Sequence, residues 1–503
     1  MIWPHFRAPL AAVLASAALA ACAPDLGSRP EPSQPSAYDT TRSFTAPSAP
    51  WPTEQWWTAY GDPQLNALIT EAIAGSPDLK IAEARMRQAE AVAEQTGAER
   101  WPTLTADAQV GPLRQSLNQG FQPQFRSFLP HGWHTQGRLN ANLEYELDLF
   151  GKNRAAFAAA RSDERAATMD MAAAYLALST SVASAYADLV RLGADHAAAV
   201  DAVHVRQETA ALVAARARES LENQGQVSLS ESEVAGAQAE VDAIDGLIAM
   251  TRNQLAALLG KGPDRGLDIT LPANAQVTPA GLPPSLAVDL IGRRPDIAIG
   301  RRPDIAAARL RAEAAAKRID VAQADFYPNI DITGLIGLQA LDTKDLFQHA
   351  SLMGQIAPAV HLPIFDGGKI SGRYRAARAD YDEAVAAYDK TVTGALREVA
   401  DAIANQRTLN QQLAHARTAL TASENAYRIA GLRYRGGLSR YVEVLTAEDT
   451  TLSQRRNVAD LEALAFSQNV ALVRALGGGF VASACSEKGE TGFPVGTCSK
   501  DLN

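Results

Sequence analysis

Three short stretches carry residues that could do chemistry. Gly367-Gly368-Lys369-Ile370-Ser371 has the glycines and lysine of a phosphate-cradling loop. Such a loop places Ser or Thr directly after the lysine and keeps a fixed upstream glycine. Here Ile370 follows Lys369 and the upstream spacing is missing, so the stretch reads as a strand-to-helix turn. His131-Gly132-Trp133-His134 offers two imidazoles, but it lies in a Phe- and Gln-rich loop without a third ligand, and no metal is predicted. The chain has three cysteines, Cys22, Cys485 and Cys498, with no CxxC spacing and no nucleophile elbow. The sequence therefore predicts no enzyme and no bound cofactor. Without a nucleotide site, energy for any transport must come from a partner.

The polar residues that matter instead recur with a period of two. In Arg138 to Lys152, Leu139, Ala141, Leu143, Tyr145, Leu147 and Leu149 alternate with Asn140, Asn142, Glu144, Glu146 and Asp148. That pattern predicts a strand with one apolar and one polar face. Its length suits a transmembrane β-strand, which needs roughly 9–11 residues. If the leucine face meets lipid, Asn140, Asn142, Glu144, Glu146 and Asp148 face a lumen. The acids there either favour cations or serve only to solvate a wide pore.

The elements that position these residues come in two copies. Ser76-Pro77-Asp78 is echoed by Arg302-Pro303-Asp304, and Trp101-Pro102 by Tyr327-Pro328, both pairs 226 positions apart. After each aromatic-Pro pair comes an alternating strand, Thr103 to Val110 or Asn329 to Leu338. A polar loop and a second strand follow, Arg138 to Phe150 or Leu352 to Phe365. Gly151-Lys152 or Gly367-Gly368-Lys369 then opens a very long helical pattern that breaks at Gly225 or Gly436. A second long helix ends at Gly260 or Gly477. The order is helix, β-hairpin, long helix, turn, long helix, repeated in tandem. Within the helices Tyr175, Leu178, Val182, Ala185, Leu189 and Leu192 step by three and four, and Tyr374, Tyr381 and Tyr388 by seven, a coiled-coil period. Lys152 to Gly225 as one helix would span roughly 110 Å. No single globular core can bury that length.

Four strands cannot close a barrel, and closed single-chain barrels begin at about eight. An open edge in lipid strands backbone groups at several kcal/mol each. Copies of the chain must therefore pool their strands. The net charge of −9 argues against nucleic acid as a partner. A composition of 47% hydrophobic but only 6% aromatic residues suits long helices with small packing residues.

The first residues form a targeting segment: Arg7, then the apolar run Ala8 to Leu19, too short to span a bilayer. The signal peptide is predicted to end at residue 21. Residues 22–50 are rich in Pro, Ser and Thr and are expected to form a tether without a core. Repeat 1 is placed at 51–265, a linker at 266–298, repeat 2 at 299–479 and a tail at 480–503. Ile291 to Ala298 recurs identically at Ile299 to Ala306, which lengthens the approach to the second half. In an oxidising compartment Cys485 and Cys498 are expected to form a disulfide, with free thiols as the alternative.

Several motifs together resemble one family. They are Leu19-Ala20-Ala21-Cys22, W-x(4)-W-W-x(2)-Y-G-D-P-x-L at Trp51 to Leu65, S-P-D-L, R-R-P-D-I-A and F-D-G-G-K-I at Phe365 to Ile370. They look like the TolC-type outer-membrane factors, in particular the NodT/OprM-like lipoproteins of resistance-nodulation-division efflux systems. The resemblance implies a homotrimer whose chains share a 12-stranded β-barrel, four strands each, continuous with a long periplasmic α-helical barrel. It implies an outer-membrane location, acylation of Cys22, and docking to a periplasmic adaptor (membrane fusion) protein and an inner-membrane pump. Gly225 and Ser228, with Gly436, Gly437 and Ser439, match the adaptor-facing helix tips, and they equally satisfy the needs of a plain helix turn. Tyr441 to Asp449 matches the segment lining the periplasmic entrance. Related channels carry L-D-A-Q-R there; this chain has Leu445-Thr446-Ala447-Glu448-Asp449. Val442 is the expected apolar constriction, with Thr446 beside it and Glu443, Glu448 and Asp449 keeping the region acidic. The expected function is a passive exit duct of an efflux system for drugs or other small molecules. The alternatives are a duct for type I secretion or metal efflux, and a lipid-anchored periplasmic coiled-coil scaffold.

Overall fold

The computed structural model describes residues 24–34, 37–40, 42–44, 50–116, 122, 128, 130–272 and 301–480. The signal peptide, Cys22, the first I-G-R-R-P-D-I-A copy and the tail with Cys485 and Cys498 lie outside the described residues. In chain order the elements are α1 (Pro63–Gly75), α2 (Pro77–Ala98), β1 (Thr103–Leu113), β2 (His134–Glu146), α3 (Lys152–Arg218), α4 (Gln224–Leu258) and the short α5 (Asp264–Leu267). The second half gives α6 (Pro303–Ala324), β3 (Asn329–Ala340), β4 (Leu352–His361), α7 (Lys369–Arg435) and α8 (Tyr441–Ala475).

The duplication is exact in length for the helices. The pair α2 and α6 has 22 residues each, α3 and α7 have 67 each, and α4 and α8 have 35 each. The residues fall into two compact units that cut across both repeats. One holds the sheet (Arg87–Ala166 and Arg309–Ala387, with the chain up to Glu31); the other holds Pro32–Met86, Ala167–Ala308 and the chain from Tyr388 onward.

In the sheet unit all four strands pair antiparallel in the order β1-β2-β3-β4. Register sorts the faces. Leu104, Ala106, Ala108 and Val110 align with Leu139, Ala141, Leu143, Ile336, Leu338, Leu352 and Ile356 on one side. Most of those side chains are exposed, Leu104 by 73% and Ile356 by 75%, with Ala141, Leu143 and Leu338 half-buried among them. A sheet face of this size, apolar and uncovered, is the mark of a lipid-facing surface. Neither β1 nor β4 has a second neighbour among the described residues, so both outer edges are unpaired within one chain.

Two expectations need correction in this unit. The second strands were expected to run to Phe150 and Phe365, but β2 ends at Glu146 and β4 at His361. Asp148 lies beyond β2 and accepts from the backbone N–H groups of Asn153 and Arg154, capping α3. A capping carboxylate must leave the pleat, which is why the alternation outruns the strand. Residues 26–30 of the expected tether lie against α7. Leu26 packs with Tyr374 and Tyr381, Ser28 O accepts from Arg378, and Pro30 O accepts from the Tyr381 hydroxyl at 2.8 Å. Proline-rich backbone makes no bonds within itself, so its carbonyls are available to donors spaced along a helix.

The other unit holds three buried clusters, one of them at the helix tips around Val213, Tyr434 and Tyr441. Trp56, Trp57, Leu65, Leu68 and Ile69 pack against Leu178, Val182, Ala185, Leu189 and Leu192 of α3, the residues whose spacing predicted a seam. In the second cluster Tyr388, Val392 and Val399 of α7 meet Ile305 and Leu472, joined by Tyr38, Phe44 and Trp51. The expected helix ends at Gly260 and Gly477 hold, each glycine having positive φ two residues past its helix. Arg302 of the second R-R-P-D-I-A copy is 7% exposed. It bonds Asp304, Glu398 and the Ala475 carbonyl.

Candidate functional site

The polar face of the sheet forms the first part of the site. Register puts Asn140 opposite Asp107 and Gly337, Asn142 opposite Thr105, and Glu144 opposite Thr103 and Thr333. Asn142 donates across the strands to Asp107, on the face that also carries the acids. Asn140 is buried although it lies on a polar face. It fits because its neighbour is glycine: a Cβ at Gly337 would come within 2.5 Å of the Asn140 Oδ1 and 2.4 Å of the Leu139 carbonyl. Asn140, Asn142, Glu144 and Glu146 thus share one strand face, whereas Asp148 has left it. His134 near the loop faces the His131 carbonyl and Asp342, at 3.2 and 3.8 Å.

Where the glycine-lysine turn enters α7, Asp366 accepts from Gly368 N and Ile370 N, with Gly367 and Gly368 at positive φ. The chain's own carboxylate fills the place a phosphate would take at a helix N-terminus. The stretch is the strand-to-helix turn that its spacing suggested.

The second part is the far end of the long helices. After α7 the chain turns through Gly436 and Gly437 (φ 72°), and Leu438 N bonds the Arg433 carbonyl at 2.8 Å. This is a Schellman ending, with the glycine in the left-handed position. The matching turn after α3 does not lie at Gly225, contrary to expectation. Ser220 takes the left-handed conformation (φ 61°), and Leu221 N bonds the Arg216 carbonyl at 2.9 Å. Gly225 and Ser228 lie inside α4, capped by Asn223, whose side chain accepts from Gln226 N. A serine had taken the glycine's place, so composition pointed to the wrong residue. The equivalent residues Leu221 and Leu438 are 65% and 74% exposed. Between the tips, Arg216 stands over the Tyr434 ring at 4.9 Å. The Tyr434 hydroxyl, its pKa pushed up to about 12 by burial and by the charge of Glu222, donates to that glutamate.

Along α8 the expected entrance residues divide between two faces. Val442 and Thr446 are exposed and line a groove of about 360 Å³ with Ser423, Ala426, Glu443, Ala447 and Thr450. The Thr446 hydroxyl donates to the Val442 carbonyl at 2.9 Å. Glu448 points the other way. It is 3% exposed and accepts from Arg206 Nε at 3.0 Å, and Asp449 accepts from the same guanidinium at 2.7 Å. Glu443, Glu448 and Asp449 were expected to keep the entrance acidic. Glu443 lines the groove and Asp449, though bonded to Arg206, keeps 62% of its side chain exposed, so only Glu448 is withdrawn. Its turn on the helix decides this: 448 falls on the buried stripe of Tyr441, Val444, Leu445 and Leu452. Arg206 was not foreseen, and only the demand of two adjacent acids for a cation could have signalled it.

Comparison with known proteins agrees with this arrangement. The profile described as outer membrane efflux protein matches residues 68–261 and 295–478. The multidrug resistance outer membrane protein MdtP of Escherichia coli K12 is 28% identical over 452 residues, covering 88% of this chain and 89% of its own. The fusaric acid resistance protein FusA of Burkholderia cepacia is 33% identical over 380 residues, 74% of this chain and 69% of its own. Among solved structures, the outer membrane protein VceC of Vibrio cholerae superposes with a TM-score of 0.77 at 40% identity. It covers 86% of this chain and 100% of that one.

Proposed function

The chain belongs to the outer membrane efflux protein family, and from that premise we propose how its parts serve export. It is an outer-membrane exit channel of a tripartite efflux system. Three chains each contribute four strands to one barrel that continues into a helical duct. The observation that carries this is the sheet itself, apolar and bare on one face, polar on the other, and open at both edges within one chain. A periplasmic scaffold would leave that apolar face in water, which the hydrophobic effect forbids on this scale.

The cargo is a drug-like or other small organic molecule, in keeping with the names of MdtP and FusA. Family members are channels, and the chain works without chemistry of its own. Energy comes from an inner-membrane pump joined through a periplasmic adaptor, which docks on the helix ends around Leu221 and Leu438. Val442 and Thr446 form the narrow part of the entrance. Asn140, Asn142, Glu144 and Glu146 line the barrel lumen. Cys22 carries the lipid: Leu26 packs on the cluster of α6 and α7 that holds Tyr374 and Tyr381, and four residues reach at most roughly 14 Å. The acyl chains and the barrel then act together as two anchors.

The test is reconstitution of the purified chain in planar bilayers. A stable oligomer with stepwise conductance supports the reading. A monomer that leaves the bilayer sealed refutes it.

A further inference from the structure

A cavity of about 290 Å³ opens where the strands hand over to the long helices, and the residues lining it all lie in the sheet unit. Glu146, Asn329 and His361 line its barrel side. Register places them on the polar face, with Glu146 opposite Asp331 and Asn329 opposite His361. Lys152 of α3 and Lys369 and Arg373 of α7 line its helical side, the last two one turn apart. Along the strands the same face carries Asp107, Glu144, Glu146 and Asp331 against Arg138, so it turns from acidic to basic at this level. The acids beside the three bases are largely engaged. Asp148 and Asp366 bond backbone N–H groups at the starts of α3 and α7. Asp325 is shared by Lys152 at 3.1 Å and Arg373 at 3.7 Å. Lys369 makes no ion pair among the described residues. Both helices open on a lysine with no acid in the first turn, where the helix dipole favours negative charge. Phe150 and Tyr327, stacked at 4.7 Å, form an apolar wall of the same cavity, and both remain partly exposed.

We propose that this cavity is a transit site for organic anions, holding a carboxylate between Lys369 and Arg373 and a flat apolar body against Phe150 and Tyr327. The proposal rests on the reading of the polar sheet face as the lumen, and it names a class of cargo for that duct. Two unlike supports meet here. Bases one helical turn apart can bond a single carboxylate together, and such charge-assisted bonds are stronger than neutral ones. The stacked rings offer contact area to an aromatic or flat alicyclic body, which acetate or another small anion lacks. Glu146 lies on the barrel side of the same cavity and opposes the anion. That opposition suits a duct, which must release what it holds.

The experiment is current recording from the reconstituted full chain in planar bilayers, with naphthoate as the probe and its neutral amide, naphthamide, and acetate as controls. Naphthoate should interrupt the current in proportion to its concentration, and both controls far less. Lys369→Gln combined with Arg373→Gln should weaken the block by about tenfold, the worth of one hydrogen bond to a charged group. Phe150→Ala should weaken the block by naphthoate more than that by acetate. Glu146→Gln removes the opposing acid and should tighten the block, a gain that a misfolded chain cannot mimic. Arg375→Gln removes a charge from α7 outside the cavity lining and should leave the block as in the wild type. Equal block by naphthamide and naphthoate overturns the proposal. So does undiminished block in the Lys369 and Arg373 double variant, or a loss in Arg375→Gln as large as the loss in that variant. A wild-type channel that conducts and is never blocked leaves the lumen reading standing and removes the site. A chain that never conducts removes both.

Discussion

Ser220 and Gly437 hold the same place in the two halves of the chain. Each stands two residues beyond a 67-residue helix, at φ 61° and 72°. For the serine that conformation carries a steric penalty of roughly 1–2 kcal/mol, while the glycine adopts it freely. Ser220→Gly should therefore tighten the first tip and Gly437→Ala loosen the second. Amide exchange at Leu221 and Leu438, whose N–H groups close the two turns, reads this directly. Slower exchange at Leu221 in the first variant and faster exchange at Leu438 in the second are expected, each by about fivefold given a net change near 1 kcal/mol.

Gly337 is the one sheet position at which a side chain has nowhere to go, because Asn140 and the Leu139 carbonyl occupy the space. Gly337→Ala should cost about 1–3 kcal/mol, the range for overpacking, and lower the yield of assembled oligomer. Asn140→Gly should not rescue it, since the backbone carbonyl remains in the way. Full recovery in the double variant would show that the side chain alone sets the constraint.

The exposed leucines of the two tips are available to a partner. Leu221→Asp and Leu438→Asp should leave conductance unchanged and weaken adaptor binding by about tenfold each, the worth of one buried leucine. Surface-binding measurements with the purified adaptor check this. Unchanged affinity in both variants would move the docking site elsewhere.

How far these features were legible in the sequence follows from their range. The strands were, because a pleat alternates its side chains and membrane burial forces the alternation to be strict. The seam of Leu178, Val182 and Leu189 was legible for the same kind of reason, at helical period. The boundary at Glu146 was not, since the pull of Asp148 toward the start of α3 is a local bond that leaves the alternation intact. The first tip was placed at Gly225 because glycine is the usual residue for a left-handed turn, and Ser220 carries no such flag. Arg206 bonds a residue 242 positions away, and nothing in either neighbourhood announces the pairing. The strap from Leu26 to Ser33 lacks the residues to form a core of its own. It is ordered by Arg378, Tyr381 and Asp389 on α7, a partnership composition does not reveal.

Lipidation at Cys22 is open to a direct check. Mass spectrometry of the mature N-terminus should find an acylated cysteine, and Cys22→Ser should lack the acyl mass while still conducting in bilayers. A wild-type N-terminus without acyl mass would remove the second anchor.

The measurement that bears most directly on the whole account is a cysteine scan across the open edges of the sheet. With Cys22, Cys485 and Cys498 replaced by serine, Thr105→Cys on β1 is paired in turn with Gln355→Cys, Ala357→Cys and Ala359→Cys on β4, all on the polar face. Within one chain β1 and β4 are separated by two strands, so a bond between them reports a contact between copies. Oxidation in membranes should yield, for one register, a covalent ring of three chains. Chains that remain monomeric in every register, or link only in pairs, would contradict the shared barrel.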